Sequence, residues 1–155
     1  MSLADLMAGS GKEEARRILT PLEIAEMFQA AEANARDCML LKCLYYLGLS
    51  NSEVQNMQVD DVDFDASRVR VMRGEKKRTR KVMIPDGFGK ELKGFVKGKK
   101  GPIFSGRSMG LLSDRHIRRI VKSYACKADL QKASEIHPHS LRDSYASHVK
   151  SLTNK

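Results

Sequence analysis

The chain has 155 residues, a length that suits one domain with a hydrophobic core and is short for two. Hydrophobic residues make up 41% and charged residues 30%, which is typical of a soluble globular protein, and no apolar run is long enough to cross a bilayer. The net charge of +9 favours a polyanionic partner, and nucleic acid is the commonest one.

The cysteines indicate a reducing environment. Cys38, Cys43 and Cys126 form no CxxC pair and are odd in number, so no disulfide framework is expected. No signal peptide is visible either. These features favour a cytoplasmic location, associated with the nucleoid if the partner is DNA.

The first half of the chain predicts an arm followed by three helices. Residues 1–19 predict a flexible N-terminal arm, because a Gly-Ser-Gly break interrupts any apolar pattern. Thr20 and Glu23 have the spacing of a capping box and predict a helix start. A more buried helix follows over "RDCMLLKCLYYLGLS". Ser50 and Glu53 repeat the capping-box spacing and predict a short third helix.

The second half predicts a small sheet and three more helices. Residues 59–85 contain two stretches rich in Val, Met and Ile around a turn, which predict a β-hairpin or a three-stranded sheet. Further helices are predicted over residues 89–96, after a cap at Ser113, and from about Pro138. The expected fold class is α+β, a mostly helical domain over residues 20–155 with a small antiparallel sheet.

Basic residues are concentrated in two segments that are predicted to be folded. Six of the nine residues in "RGEKKRTRK", residues 73–81, are basic, and a second basic row follows one side of the helix after Ser113. Charge runs are usually solvated surface, but two on folded elements suit a duplex backbone. The candidate DNA-binding residues are Arg73, Lys76, Arg78, Arg80, Lys81, Arg115, Arg118 and Arg119.

The stretch "IHPHSLRDSYASHV" carries the clearest candidate for chemistry. His139 and Arg142 are three residues apart and share one face of the predicted helix, where both can donate to a single phosphate. By itself an HxxR pair is a weak signal. No metal site is expected, because His137 and His139 have no cysteine or carboxylate cluster at ligand spacing.

Four segments in order resemble the tyrosine recombinase (phage integrase) family. "HPHSLRDSYASHV" resembles its second motif, usually HxLRHSFATH, and "LLKCLYYLGLSNSEVQNMQVDDVDF" resembles its first, TGLRxSELLxLxWxDID. "VRVMRGEKKRTRKVMIP" is similar to the β-hairpin that carries a catalytic lysine, and "GPIFSGRSMGLLSDRHIRRIVKSYACKADL" to the segment that follows it. The resemblance covers roughly residues 18–152.

This resemblance implies a tyrosine-recombinase catalytic-domain fold and a transesterification on double-stranded DNA without metal or cofactor. In that reaction a tyrosine attacks the phosphodiester, two arginines and a histidine stabilise the developing charge, and the hairpin lysine protonates the leaving oxygen. His139 and Arg142 match the second motif, and Lys77, or Lys76 if the turn is shifted by one residue, matches the lysine. The resemblance also implies other protomers as partners of the full-length protein on DNA. A monomer is expected in solution for this chain.

Three departures from the family pattern bear on catalysis. Ser50 stands at the position of the first catalytic arginine, and loss of one such preorganised donor costs on the order of a hundredfold in rate. Asp143 replaces the usual histidine after HxLR. The family's LGH segment and nucleophilic tyrosine lie beyond HxxR and are not among the 155 residues. Tyr145 stands where the family has a buried phenylalanine and is expected to pack in the core.

These observations leave more than one function open. The first hypothesis is the DNA-binding catalytic domain of a site-specific recombinase or integrase, C-terminally truncated and inactive by itself. The second is a degenerate, non-catalytic DNA-binding module with the same fold, so whether the chain is an enzyme stays open. An RNA-binding protein is disfavoured, because aromatic residues make up only 6% and no stacking motif is present.

Overall fold

The computed structural model describes residues 17–73, 78–106 and 110–153. Within these ranges the helices are α1 (Pro21–Ala30), α2 (Ala35–Tyr46), α3 (Asn51–Gln55), α4 (Phe88–Val96), α5 (Asp114–Lys127) and α6 (Pro138–Thr153). The strands are β1 (Val62–Asp63), β2 (Arg68–Arg73) and β3 (Arg78–Met83). The α+β fold class expected from the sequence is confirmed. None of the helices in the described ranges combines the length and apolar character that a membrane span requires.

Side-chain caps mark the start of four helices in the described ranges, and three of these caps were predicted. Thr20 caps α1 and Ser50 caps α3, and in both cases a glutamate three residues on completes the capping box. Ser113 caps α5, where its hydroxyl accepts a hydrogen bond from the backbone N–H of His116 at 3.0 Å. The predicted helix starts at Thr20, Ser50 and Ser113 are confirmed.

Helix α2 lies at the centre of the core. Its buried residues occupy most of its circumference and include Leu40, Leu41 and Leu44. Ile117 and Val121 of α5 and Leu141 of α6 are likewise fully buried. Because α2 is surrounded by the other elements, its carboxyl end and the turn into α3 are fixed relative to both α6 and the sheet.

The antiparallel register of the sheet decides which basic residues share a face. The strand order is β1-β2-β3, and Val71 pairs with Arg80 while Arg70 pairs with Lys81. Directly paired residues point to the same side of a sheet, and Val71 is buried. Arg80 therefore lies on the core-facing side of β3, whereas Arg70 and Lys81 lie on the other side.

The segment before α1 is packed against the last helix. Leu19 is fully buried, its N–H donates to Ser144 Oγ at 2.7 Å, and its carbonyl accepts from His148 Nε2 at 2.8 Å. Arg17 forms an ion pair with Glu23 of α1. The predicted flexible arm over residues 1–19 is thus wrong for residues 17–19, which belong to the folded body. Residues 1–16 lie outside the described residues.

Candidate functional site

The site is built around the turn between α2 and α3, here called the α2–α3 turn and formed by Gly48, Leu49 and Ser50. Gly48 has a φ of +61°, a left-handed conformation that glycine adopts without strain. Arg142 of α6 is half-buried, and its Cγ lies 3.8 Å from the position that a Cβ on Gly48 would occupy. The stem of Arg142 is therefore held against this turn, while His139, one turn earlier on α6, is exposed.

Ser50 acts as the N-cap of α3. Its hydroxyl accepts a hydrogen bond from the N–H of Glu53 at 3.2 Å, and its own N–H donates to Glu53 Oε1 at 2.9 Å. Serine is among the preferred residues at an N-cap, because its short side chain satisfies a helix N–H that has no other partner. The position at which the family motif has its first arginine is thus a helix cap in this chain.

Arg80 reaches the same turn from β3 through an ion pair with Glu53. Its Nε donates to Glu53 Oε2 at 2.8 Å and its Nη2 donates to Oε1 at 3.0 Å, while Nη2 also lies 3.4 Å from the carbonyl oxygen of Gly48. Burial alone raises the pKa of Glu53, but hydrogen bonds from Arg80 and Ser50 outweigh it and lower that pKa. The hydrogen bond to Glu53 raises the pKa of Arg80. Both partners are therefore charged at neutral pH.

The solvent face of α5 forms a basic surface beside α3. Four exposed side chains line an open depression of about 520 Å³: Arg115, Arg118, Arg119 and Lys122. Two hydrogen bonds from α3 hold the start of α5 and the residue before its cap. Asn51 Nδ2 donates to Asp114 Oδ1 at 2.6 Å, and Gln55 Nε2 donates to the carbonyl of Leu112 at 2.7 Å.

Electrostatics connect this basic surface to the start of α6. The pKa of His137 is lowered by burial and further by the positive charges of Lys122, His139 and Arg118. These groups are close enough to repel a proton on His137, so the basic surface of α5 lies near the beginning of α6. An anion bound there would relieve this repulsion.

The predicted DNA-binding residues are placed at several positions on the fold. Arg115, Arg118 and Arg119 share the α5 surface, and Arg80 lies at the α2–α3 turn. Lys81 is exposed on the opposite side of the sheet from Arg80. Arg73 and Arg78 are the end residues of β2 and β3, and Lys76 and Lys77 lie outside the described residues.

Two further expectations concern tyrosines and metals. Tyr145 packs against the core as predicted, with its ring centroid 5.1 Å from that of Tyr45 and 6.1 Å from that of Tyr46. Burial raises the pKa of Tyr145. Over the described part of the chain, His, Cys, Asp and Glu side chains form no cluster that could hold a metal ion.

Comparison with known sequences gives one family. The profile of the phage integrase family matches residues 17–151. A tyrosine recombinase of Pseudothermotoga lettingae is 30% identical over 133 residues, covering 84% of this chain and 46% of that protein. Tyrosine recombinase XerC of Syntrophus aciditrophicus is 32% identical over 127 residues, covering 74% of this chain and 40% of that protein. The chain thus spans about half the length, or less, of these curated relatives.

Solved structures share the fold. The crystal structure of XerA recombinase matches with a TM-score of 0.76 at 24% identity, covering 86% of this chain and 50% of that one. The XerH site-specific recombinase, bound to its difH substrate in a pre-cleavage complex, matches with a TM-score of 0.73 at 17% identity. This match covers 89% of this chain and 44% of the XerH chain. At these identities the likeness establishes the fold, and the fold expected from the sequence motifs is confirmed.

Proposed function

Because the chain belongs to the phage integrase family of tyrosine recombinases, we propose that it is the part of a site-specific recombinase that binds duplex DNA and holds the phosphodiester to be cleaved. The observation that carries the proposal is the basic surface of α5, where four exposed cationic side chains line one open depression. Such a region suits a polyanionic backbone, because each neutralised phosphate releases counterions. XerH, which shares this fold, is bound to its difH substrate in the solved complex.

In this proposal His139 and Arg142 donate hydrogen bonds to the non-bridging oxygens of one phosphate. Negative charge builds on those oxygens during transesterification, and donors fixed in advance stabilise it most. The roles of Lys77 or Lys76 as the acid for the leaving oxygen rest on the sequence motif. Tyr145 is not proposed as the nucleophile, because its ring packs against Tyr45 and Tyr46.

A second candidate function is a non-catalytic DNA-binding module of the same fold. Ser50 favours it, since the residue at the position of the first catalytic arginine is engaged as the cap of α3 and carries no charge. The two candidates differ in whether a covalent bond to DNA forms. The product of the full open reading frame can be incubated with a library of duplex fragments from the source genome. Adducts that survive denaturing detergent support the recombinase, and tight binding without adducts supports the module.

We expect the α5 surface to account for much of the salt dependence of duplex binding. Changing Arg115, Arg118, Arg119 and Lys122 together to glutamine should weaken binding at 50 mM KCl at least tenfold. If each residue neutralises one phosphate, at roughly 0.9 per contact, the slope of log K against log salt should fall by about 3.6. The measurement is fluorescence anisotropy of a labelled 30-base-pair duplex between 50 and 300 mM KCl.

A matched variant separates this surface from net charge. Changing Lys90, Lys93, Lys97 and Lys100 to glutamine removes the same four charges from exposed positions on and after α4. This control should keep a slope close to that of the unchanged chain. Equal losses in both variants would mean that binding follows overall charge, and the assignment of the α5 surface to DNA would then be wrong.

Histidine titration gives a local test of phosphate binding. In the free protein His137 should titrate below its ordinary pKa of 6.5, because it is buried beside Lys122 and Arg118. Above pH 6.5 His137 is neutral in both the folded and the unfolded chain, and the free energy of unfolding is at its full value. As the pH falls from 6.5 toward the lowered pKa, the unfolded chain binds the proton first, so the free energy of unfolding decreases. A bound duplex should raise the pKa, because phosphate offsets the neighbouring cations.

The measurement is the pH dependence of the imidazole Cε1–H resonances by NMR, with and without a saturating duplex. His137→Gln identifies the resonance, and His116 on α5 serves as an internal comparison. A His137 resonance that titrates at the same pH in both states contradicts the proposed placement of phosphate.

A further inference from the structure

We propose that Arg80 is a second phosphate-binding arginine, delivered by β3 to the α2–α3 turn so that it faces the same phosphate as Arg142. The inference rests on the proposed DNA-binding function and deepens it. It assigns to a strand residue the guanidinium that position 50 does not supply. Glu53 is the positioning residue, since it touches Arg80 and not the phosphate.

Two arginines from different elements meet at Gly48. Arg142 of α6 brings its Cγ to 3.8 Å from the Cβ position of Gly48, and Arg80 of β3 brings Nη2 to 3.4 Å from the carbonyl oxygen of Gly48. Ser50, two residues later, has its hydroxyl engaged by the N–H of Glu53. The turn therefore has the stem of Arg142 on one side and the guanidinium of Arg80 at its carbonyl oxygen, while its own side chain at position 50 is uncharged.

The ion pair with Glu53 leaves one edge of the Arg80 guanidinium open. Nε and Nη2 bind the carboxylate, whereas Nη1 makes no hydrogen bond to any residue in the described ranges. A guanidinium has five N–H donors in a rigid fork, so a second edge remains for an incoming oxygen. The side chain is 46% exposed, while that of Glu53 is 2% exposed. The buried Glu53 therefore holds the exposed Arg80 in one orientation.

This arrangement reduces the cost of binding. A free surface arginine loses side-chain entropy when it engages a phosphate, whereas Arg80 is already held in one orientation by two charge-assisted hydrogen bonds. Glu53 also offsets part of the positive charge of Arg80, which lowers its electrostatic repulsion of other cations near the turn before DNA binds.

A second ion pair on the same sheet provides the matched control. Arg70 of β2 pairs with Asp61 at 3.1 Å, and their side chains are 58% and 5% exposed. Arg70 lies on the opposite face of the sheet from Arg80. The two pairs thus share strand context, burial of the carboxylate and exposure of the arginine, and differ in their position relative to the proposed phosphate.

The test compares two double variants. One carries Glu53→Gln and Arg80→Gln, and the other carries Asp61→Asn and Arg70→Gln. Each double variant removes one positive and one negative charge, so the net charge of the chain stays constant. Binding of a labelled 30-base-pair duplex is followed by anisotropy across KCl concentrations. We expect the Glu53/Arg80 variant to lose about fivefold to twentyfold in affinity at 100 mM KCl and about one unit of salt slope, with less than a twofold loss for the Asp61/Arg70 variant.

The outcomes separate this inference from the proposed function. If the unchanged chain does not bind duplex, the proposed function fails. If it binds and the two double variants behave alike, Arg80 is only structural and the inference is overturned. If circular dichroism shows that the Glu53/Arg80 variant does not fold, the duplex affinity of Arg80→Lys tests the inference instead. It retains the pair with Glu53 but loses the planar fork, so unchanged affinity overturns the inference and a threefold or greater loss supports it.

Discussion

Replacing Arg80 by leucine while Glu53 is kept should lower the free energy of unfolding by about 2–3 kcal/mol at pH 7. The carboxylate of Glu53 is 2% exposed and keeps only its hydrogen bond from the N–H of Ser50 once the guanidinium is gone. Breaking a fully buried pair costs about 3–5 kcal/mol, and the lower figure allows for an arginine that is 46% exposed. Urea denaturation followed by circular dichroism measures the difference.

The pH dependence of this difference identifies its cause. In the unchanged chain the pKa of Glu53 lies below its ordinary value of 4.5, so its contribution to stability is complete above pH 4.5 and is lost as the pH falls through the lowered value. In Arg80→Leu, burial without a guanidinium raises that pKa, so protonation relieves the penalty. The stability gap between the two proteins should therefore narrow as the pH falls toward 4.5.

A second substitution provides the control. Glu53→Leu added to Arg80→Leu removes the unpaired buried charge and should recover most of the lost stability, because apolar replacement of both partners is often close to neutral. A double variant as unstable as Arg80→Leu alone would show that packing, and not charge, explains the loss.

The features that could be predicted from the sequence are those that depend on residues close together in the chain. Thr20 with Glu23 and Ser50 with Glu53 are three residues apart, so their capping boxes follow from spacing alone. The same holds for the shared face of His139 and Arg142 on α6. The family resemblance then gave the fold, because its motifs occur in order along the chain.

The contacts that shape the site join residues far apart in the chain. Glu53 and Arg80 are 27 residues apart, and nothing in the basic run "RGEKKRTRK" distinguishes an arginine that pairs with a buried glutamate from its neighbours. Alternation along β3 offered a partial signal, since adjacent strand residues face opposite sides, and Arg80 and Lys81 do so. The Gly-Ser-Gly break places Leu19 in the predicted arm, and its contact with Ser144, 125 residues away, leaves no local pattern that would show otherwise.

Changing Arg142 to glutamine should weaken duplex binding by roughly tenfold to a hundredfold. The side chain is half-buried and its stem lies against Gly48. In the proposed function its guanidinium forms charge-assisted hydrogen bonds to a phosphate. Such bonds contribute about 1.5–3 kcal/mol, and about 1.4 kcal/mol corresponds to a tenfold change in affinity. Arg142→Lys keeps the charge but not the two-pronged geometry and should show an intermediate loss.

The matched control is Lys97→Gln, which removes the same charge from an exposed position after α4 and should change affinity by less than about twofold. Equal effects of the two variants would mean that Arg142 contributes only to overall charge, and would contradict the assignment of a phosphate site to the start of α6.

Combining Arg142→Gln with the Glu53/Arg80 double variant tests whether both arginines bind one phosphate. Residues that share a ligand couple, so the combined loss should fall short of the sum of the separate losses, whereas additive losses would place the two arginines on separate phosphates.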